Sequence, residues 1–196
     1  MDSLLTTYLY YQIATNPKKR VDKELLDVFR CKESLTIMYD LDKFADAYIT
    51  ASTDNNKYTY CLMYLQHKIY WTSIIATAIT EGYPETEKLK SLLVAYYYQN
   101  WVAGATVARI KQTSFNVIKL IKAGKSINDI AYEMKTNLDK YATTKTFKEE
   151  VNSTFVFGKK WDRALLLLVE YALCDDSKQN FIPLGKKLHL EHILPQ

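Results

Sequence analysis

The chain has 196 residues, of which 48% are hydrophobic and 24% are charged, and this balance excludes a disordered or fibrous protein. The 26 basic and 22 acidic residues leave a net charge of +4, which is too small to identify a partner. Only 5 glycines and 4 prolines are present, too few for the turns of a many-stranded sheet. We therefore expect a mainly α-helical protein with one core.

Hydrophobic residues recur at helical spacing along the first half of the chain. This spacing predicts amphipathic helices over residues 21–30, 35–48 and 57–75. Five turn-forming residues at 52–56 stop the second helix, and the third ends before the glycine and proline within 82–84. The third helix would contain the isolated His67, which we interpret as a structural residue.

The second half of the chain carries clear signals for helix ends. Gly124 is a predicted C-terminal cap, and Ser126 with Asp129 is close to a capping box. Thr146 and Glu149 repeat this signature and predict another helix start. Further helices are predicted over 85–103, 106–123 and 161–173. The whole pattern predicts a bundle of about seven to nine helices, with at most a short C-terminal strand.

No segment of the sequence has the features of a targeting or membrane segment. The hydrophobic run at 4–11 lacks a basic flank and a small-residue cleavage site. The aliphatic run at 164–169 is far shorter than the about 20 residues of a membrane span. The three cysteines, Cys31, Cys61 and Cys174, are odd in number and widely spaced, which favours free thiols. We expect a cytoplasmic protein that does not interact with a membrane.

The 16 tyrosines raise the question of a surface for stacking nucleic-acid bases. Tyr60, Tyr64, Tyr96 and Tyr97 lie beside leucine and isoleucine in helical patterns that contain few basic residues. This pattern favours packing, with the ring buried and the hydroxyl in water.

Positive charge is concentrated in the second half of the chain. Up to Tyr98 there are 11 basic and 12 acidic residues, and after it there are 15 basic and 10 acidic residues. Five basic residues within 109–125 occur without any acidic residue: Arg109, Lys111, Lys119, Lys122 and Lys125. They form either a solvated helix face or a patch that binds DNA phosphates without reading sequence.

The C-terminus carries a compact group of chemically useful side chains. Residues 188–191 alternate between apolar and polar, which predicts a short strand ended by Pro195. His189, Glu191 and His192 fall within four residues. A carboxylate can hold a divalent cation while a neutral imidazole takes a proton from water. From the residues alone, such a pair is either catalytic or adjacent only by chance.

The last seven residues resemble the opening strand of the HNH-type nuclease domain that ends the GmrSD-like, modification-dependent restriction endonucleases. These residues are Leu190, Glu191, His192, Ile193, Leu194, Pro195 and Gln196. The order before them is also similar to that family, with a long helical region, the stretch 146–150, the stretch 163–171 and a variable loop. The resemblance divides the chain into a helical domain at 1–180 and the loop and first strand of a nuclease domain at 181–196.

The resemblance implies roles for the terminal residues in DNA cleavage. His192 would be the general base that activates water, and Glu191 would hold the metal or orient the site. His189 matches no catalytic position. The intact nuclease would use a divalent metal, Mg²⁺ or Mn²⁺, whereas no cofactor is expected in this chain.

The sequence lacks two features of that family. No further strand or helix with Asn or His ligands follows Gln196, and no nucleotidase motif occurs in the first 20 residues. We therefore expect this chain to be inactive alone and its partners to be the missing nucleotidase and nuclease segments. DNA is a further expected partner, through the basic second half of the chain.

Two alternatives belong to other functional classes. The first is a non-enzymatic helical protein-interaction module, which would use an exposed apolar groove between helices. The second, a small-molecule enzyme within the bundle, is less favoured, because no repeated Glu-x-x-His pair and no glycine-rich phosphate loop is present.

Overall fold

The computed structural model describes residues 2–174 and 179–185, and these residues form ten helices and no strand. The helices are α1 (Asp2–Ile13), α2 (Val21–Phe29), α3 (Ser34–Thr53), α4 (Lys57–Met63), α5 (Lys68–Thr80), α6 (Thr86–Val102), α7 (Val107–Lys122), α8 (Ile127–Lys140), α9 (Thr143–Val151) and α10 (Asp162–Leu173). The predicted mainly α-helical fold is confirmed, and the helix number exceeds the predicted seven to nine. The predicted strand at 188–191 lies outside the described residues.

Helix α5 occupies the centre of the bundle. Ten of its thirteen residues are buried, and it packs against α1, α3 and α7. Its hydroxyls at Thr72, Ser73, Thr77 and Thr80 each donate to the carbonyl four residues earlier, at 2.5–2.8 Å. These bonds satisfy polar groups that would otherwise be buried without partners. Among the described helices, none has both the length and the hydropathy needed to cross a bilayer.

The single helix predicted over 57–75 is wrong, because the chain forms α4 and α5 with a turn between them. His67 lies immediately before α5 in a non-helical conformation, and not inside a helix as predicted. The turn buries Tyr64 and Leu65 on the core. Hydrophobic residues therefore continue through the turn, and their spacing does not reveal the break.

Helix α1 is not among the predicted helices. Tyr8 and Leu9 in α1 are fully buried, and the ring of Tyr8 meets the ring of Phe44 edge-on at 5.4 Å. The N-terminal helix is thus an integral part of the core.

The predicted helix start at Thr146 is also wrong. Helix α9 begins at Thr143, after Ala142 in a left-handed conformation with φ of 50°. Thr146 lies inside the helix, where its hydroxyl donates to the Ala142 carbonyl at 3.3 Å. The hydroxyl of Thr144 donates to Gln99 Oε1 at 2.8 Å, which ties the first turn of α9 to α6. Tertiary contacts therefore override the local capping signal.

The predicted caps around residue 125 are confirmed. Gly124 has φ of +64° and ends α7, with the Lys125 amide donating to the Leu120 carbonyl at 2.9 Å. Ser126 and Asp129 form a capping box at the start of α8. Hydrogen bonds from the Ser126 side chain and backbone lower the pKa of the Asp129 carboxyl, and nearby Lys125 contributes.

The predicted packing role of the tyrosines is confirmed, but their hydroxyls bond to protein groups instead of lying in water. Tyr97 is buried, and its hydroxyl lies 2.7 Å from the Ser114 hydroxyl. Tyr96 donates to Asn137 Oδ1 at 2.9 Å, and Tyr98 donates to the Cys61 carbonyl at 3.0 Å. Burial raises the pKa of all three tyrosines, so the neutral phenols are retained.

A buried lysine joins α6 to the end of α3. Lys90 is only 5% exposed, and its ammonium donates to Asp54 and, at 2.6 Å, to Glu87. Burial alone would lower the pKa of Lys90, but the hydrogen bonds to the two carboxylates leave it raised. A raised lysine pKa stabilises the fold below the ordinary value of 10.5, and this contribution is lost as the pH rises above it.

We predict that removing the two carboxylates of this ion cluster destabilises the fold more than removing its lysine. Asp54→Ala with Glu87→Ala leaves a buried ammonium without a partner, so the free energy of unfolding should fall by about 3–5 kcal/mol. Lys90→Met retains the apolar stem and leaves the carboxylates in water, so the loss should be about 1 kcal/mol or less. Urea unfolding measures both, with Lys88→Met in the exposed Lys88–Glu85 pair as control. Equal losses of unfolding free energy would contradict the assignment of Lys90 as a buried charge that depends on Asp54 and Glu87.

Candidate functional site

The described chain ends close to the C-terminal motif without including it. Glu191, His192 and His189 lie outside the described residues. Residues 179–185 are the described residues nearest to the motif in the sequence, and Gly185 precedes Glu191 by six positions.

Two tyrosines hold this segment on the bundle, and we call Tyr64 and Tyr171 the tyrosine anchor. The Tyr64 hydroxyl donates to the Ile182 carbonyl at 2.7 Å. The Tyr171 hydroxyl accepts from the Ile182 amide at 2.9 Å and donates to the Asn180 carbonyl at 3.0 Å. The two hydroxyl oxygens lie 3.1 Å apart. Ile182 is thus bonded through both its amide and its carbonyl.

Side-chain packing reinforces the tyrosine anchor. The ring of Phe181 stacks on the ring of Tyr64, with centroids 5.4 Å apart. Ile182 and Leu184 pack against the core, and Gln179 Nε2 donates to the Tyr171 carbonyl at 3.0 Å. Burial raises the pKa of Tyr64, so its hydroxyl keeps the proton that it donates.

Two of the five predicted DNA-backbone residues contribute to contacts within the fold. The guanidinium of Arg109 lies 4.5 Å from the centre of the Tyr141 ring. The ammonium of Lys122 donates to the Tyr11 carbonyl at 2.9 Å, near the C-terminus of α1. Partial loss of solvation lowers the pKa of Lys122, although the residue is exposed.

The other three basic residues remain available to a ligand. Lys119 and Lys125 are exposed, and Lys111 is half-buried. Within the described part of the chain, none of the three forms an ion pair. Lys119 lies in the last turn of α7 and Lys125 just after the helix, whereas Lys111 lies in its first half.

The described residues contain no group of three or more His, Cys, Asp or Glu side chains that could hold a metal ion. All three cysteines are free. Cys61 is buried, and burial raises the pKa of its thiol to about 12. The Cys61 thiol is therefore neutral near pH 7 and is a poor nucleophile.

A groove that the sequence did not locate lies between α6 and α10, which both contact α4. It has a volume of 530 Å³, within the range of small-molecule sites. Its lining residues are Lys57, Tyr58, Cys61, Ser91, Val94, Ala95, Tyr98, Gln99, Phe147, Leu165, Leu168, Tyr171 and Ala172. The residues come from four helices, so only tertiary packing brings them together. We call it the α6–α10 groove.

The outward face of α3 is unusually apolar, and four of its large side chains are 57–79% exposed: Leu35, Met38, Tyr39 and Ile49. Helical spacing places Asp42 and Asp46 on the same face, and both are exposed. The opposite face buries Phe44, Ala47 and Ala51. The hydrophobic pattern at 35–48 predicted the helix but not its buried side, because it combined the exposed Leu35, Met38 and Tyr39 with the buried Phe44.

Comparison of the chain with protein families, with curated proteins and with solved structures finds no match. Three surfaces among the described residues are suited to binding. They are the exposed lysines near the end of α7, the α6–α10 groove and the outward face of α3.

We predict that the tyrosine anchor acts as a unit. Tyr64→Phe and Tyr171→Phe should each lower the free energy of unfolding by about 1 kcal/mol, since each removes hydrogen bonds to residues 180–182. The double variant should lose less than the sum of the single losses, by about 0.5 kcal/mol or more, because both hydroxyls bind the backbone of Ile182. Urea unfolding measures the cycle, with the exposed Tyr132→Phe as a control expected to change little. Strictly additive losses would contradict the shared anchor.

Proposed function

We propose that this chain is the helical part of a GmrSD-like, HNH-type DNA endonuclease, in which the bundle holds the segment leading to Glu191 and His192. The observation that supports this proposal is the tyrosine anchor, which bonds Ile182 to the turn after α4 and to α10, and Asn180 to α10. Catalytic groups must be held close to their productive geometry, and a rigid bundle provides that support.

In the proposed enzyme, His192 and Glu191 have different roles in phosphodiester hydrolysis. His192 takes a proton from the attacking water, and Glu191 holds the metal or orients the histidine. A divalent ion, Mg²⁺ or Mn²⁺, would stabilise the charge that develops on the phosphate. These roles rest on the resemblance of residues 190–196 and on the chemistry of the two side chains.

The bundle contributes to DNA binding through Lys119 and Lys125 in this proposal. Both ammonium groups are exposed and lack ion pairs within the described residues, so they can release counterions from DNA phosphates. Arg109 and Lys122 contribute less, because each already contacts a tyrosine of the bundle.

We predict salt-dependent binding of the chain to a DNA duplex, weakening steeply between about 50 mM and about 200 mM salt. Lys119→Glu with Lys125→Glu should reduce the salt slope by about 2, because two phosphate contacts are lost. The matched control is Lys23→Glu with Lys43→Glu, two exposed lysines of the first half that give the same change in net charge. Fluorescence anisotropy measures all three proteins.

Equal weakening of DNA binding in the two double variants would show that net charge alone drives binding. It would contradict a specific role of Lys119 and Lys125. Absence of binding by the unmodified chain at low salt would contradict the DNA-binding role of the bundle.

A second function, a helical protein-interaction module, is favoured by the outward face of α3. Hydrophobic side chains exposed along one helix face suit an amphipathic partner helix. Asp42 and Asp46 lie among them and form no ion pairs within the described residues, so the face is complementary to basic partners. The partner in this proposal is a basic amphipathic helix.

We predict that a synthetic peptide with leucine at helical spacing and lysine elsewhere binds this face, whereas the same peptide with glutamate in place of lysine does not. Asp42→Lys with Asp46→Lys should reverse this preference, because the charge of the face is reversed. Calorimetric titration of both proteins with both peptides measures the outcome. An unchanged preference in the double variant would exclude the α3 face as the docking surface.

A further inference from the structure

The α6–α10 groove has the composition of a binding site for a small apolar molecule. Its floor is made by buried residues, including Val94 and Tyr98, and its rim by half-buried Leu165, Leu168 and Phe147. Ligand sites combine such apolar walls with a few polar groups that fix orientation. The groove is open to solvent on the side of the exposed Ala95.

Among the residues that the structure describes, the lining contains one charged side chain, Lys57, and no carboxylate. The ammonium of Lys57 lies 5.6 Å from the centre of the Tyr58 ring. Lys57 forms no ion pair with any residue that the structure describes. A cation beside apolar walls is complementary to a ligand with one negative charge and an apolar body.

The polar groups of the groove are suited to binding and not to covalent chemistry. The thiol of Cys61 is buried and protonated, so it serves as a small apolar part of the wall. Tyr58 and Ser91 add hydroxyls to the lining, and each can donate a hydrogen bond to an anion.

The size of the groove favours a small ligand over a protein partner. Each side of a standard protein interface contributes roughly 20–30 residues, more than line this groove. A volume of 530 Å³ lies within the range of roughly 300–1,000 Å³ found for small-molecule sites.

We propose that the α6–α10 groove binds a small amphipathic carboxylate, with its carboxylate on Lys57 and its apolar body against Val94, Leu165 and Leu168. The site is independent of the proposed DNA contacts, which lie on α7 and after it. The ligand class comprises linear carboxylic acids of medium chain length.

Calorimetric titration with decanoate, decanol and decyltrimethylammonium, each below its micelle concentration, tests this proposal. We expect decanoate to bind with one site per chain and the cationic probe to bind more weakly than decanol. Lys57→Met should weaken decanoate binding by about ten- to a hundredfold through the lost charge-assisted hydrogen bond, and decanol binding should change little. Ala95→Phe should weaken both, because it fills the open side of the groove.

The matched control is Lys88→Met, which removes an exposed lysine of α6 outside the groove lining. Thermal unfolding of each variant verifies that it is folded. Absence of saturable decanoate binding would overturn the proposal, as would equal decanoate affinity of the Lys57→Met variant and the unmodified chain. Unchanged affinity in the Ala95→Phe variant would place the ligand elsewhere. Displacement of decanoate by a peptide of residues 186–196, at one peptide per chain, would identify that segment as the occupant instead.

Discussion

The burial of α5 on nearly all sides is the constraint on which the rest of the bundle depends. Four buried or half-buried hydroxyls of α5 are satisfied within the helix, because each donates to the carbonyl four residues earlier. Helices α1, α3 and α7 pack around this central helix.

The link from the core to the candidate site runs through the turn between α4 and α5. Tyr64 lies in this turn, and α10 packs against α4, so Tyr171 is brought beside Tyr64. Their hydroxyls then bind the chain at Ile182. The same arrangement leaves a groove between α6 and α10, which both contact α4. The anchor and the groove are thus two results of one packing arrangement.

Patterns carried by neighbouring residues were predictable from the sequence, and patterns created by tertiary contacts were not. The capping box of Ser126 and the helix end at Gly124 are local, and both were predicted. The start of α9 depends on a contact between Thr144 and Gln99, 45 positions apart, so a local signal at Thr146 was misleading. The anchor joins residues more than 100 positions apart and left no local signal. The roles of Glu191 and His192 stay predictions.

The bundle holds residues 179–185 through the tyrosine anchor and the packing of Phe181, Ile182 and Leu184. Hydrogen exchange of the Ile182 amide tests this most directly, because that amide donates to the Tyr171 hydroxyl inside the anchor. The structure predicts that the Ile182 amide exchanges as slowly as the amides in the middle of α10. Exchange at the rate of an unstructured peptide would contradict the claim.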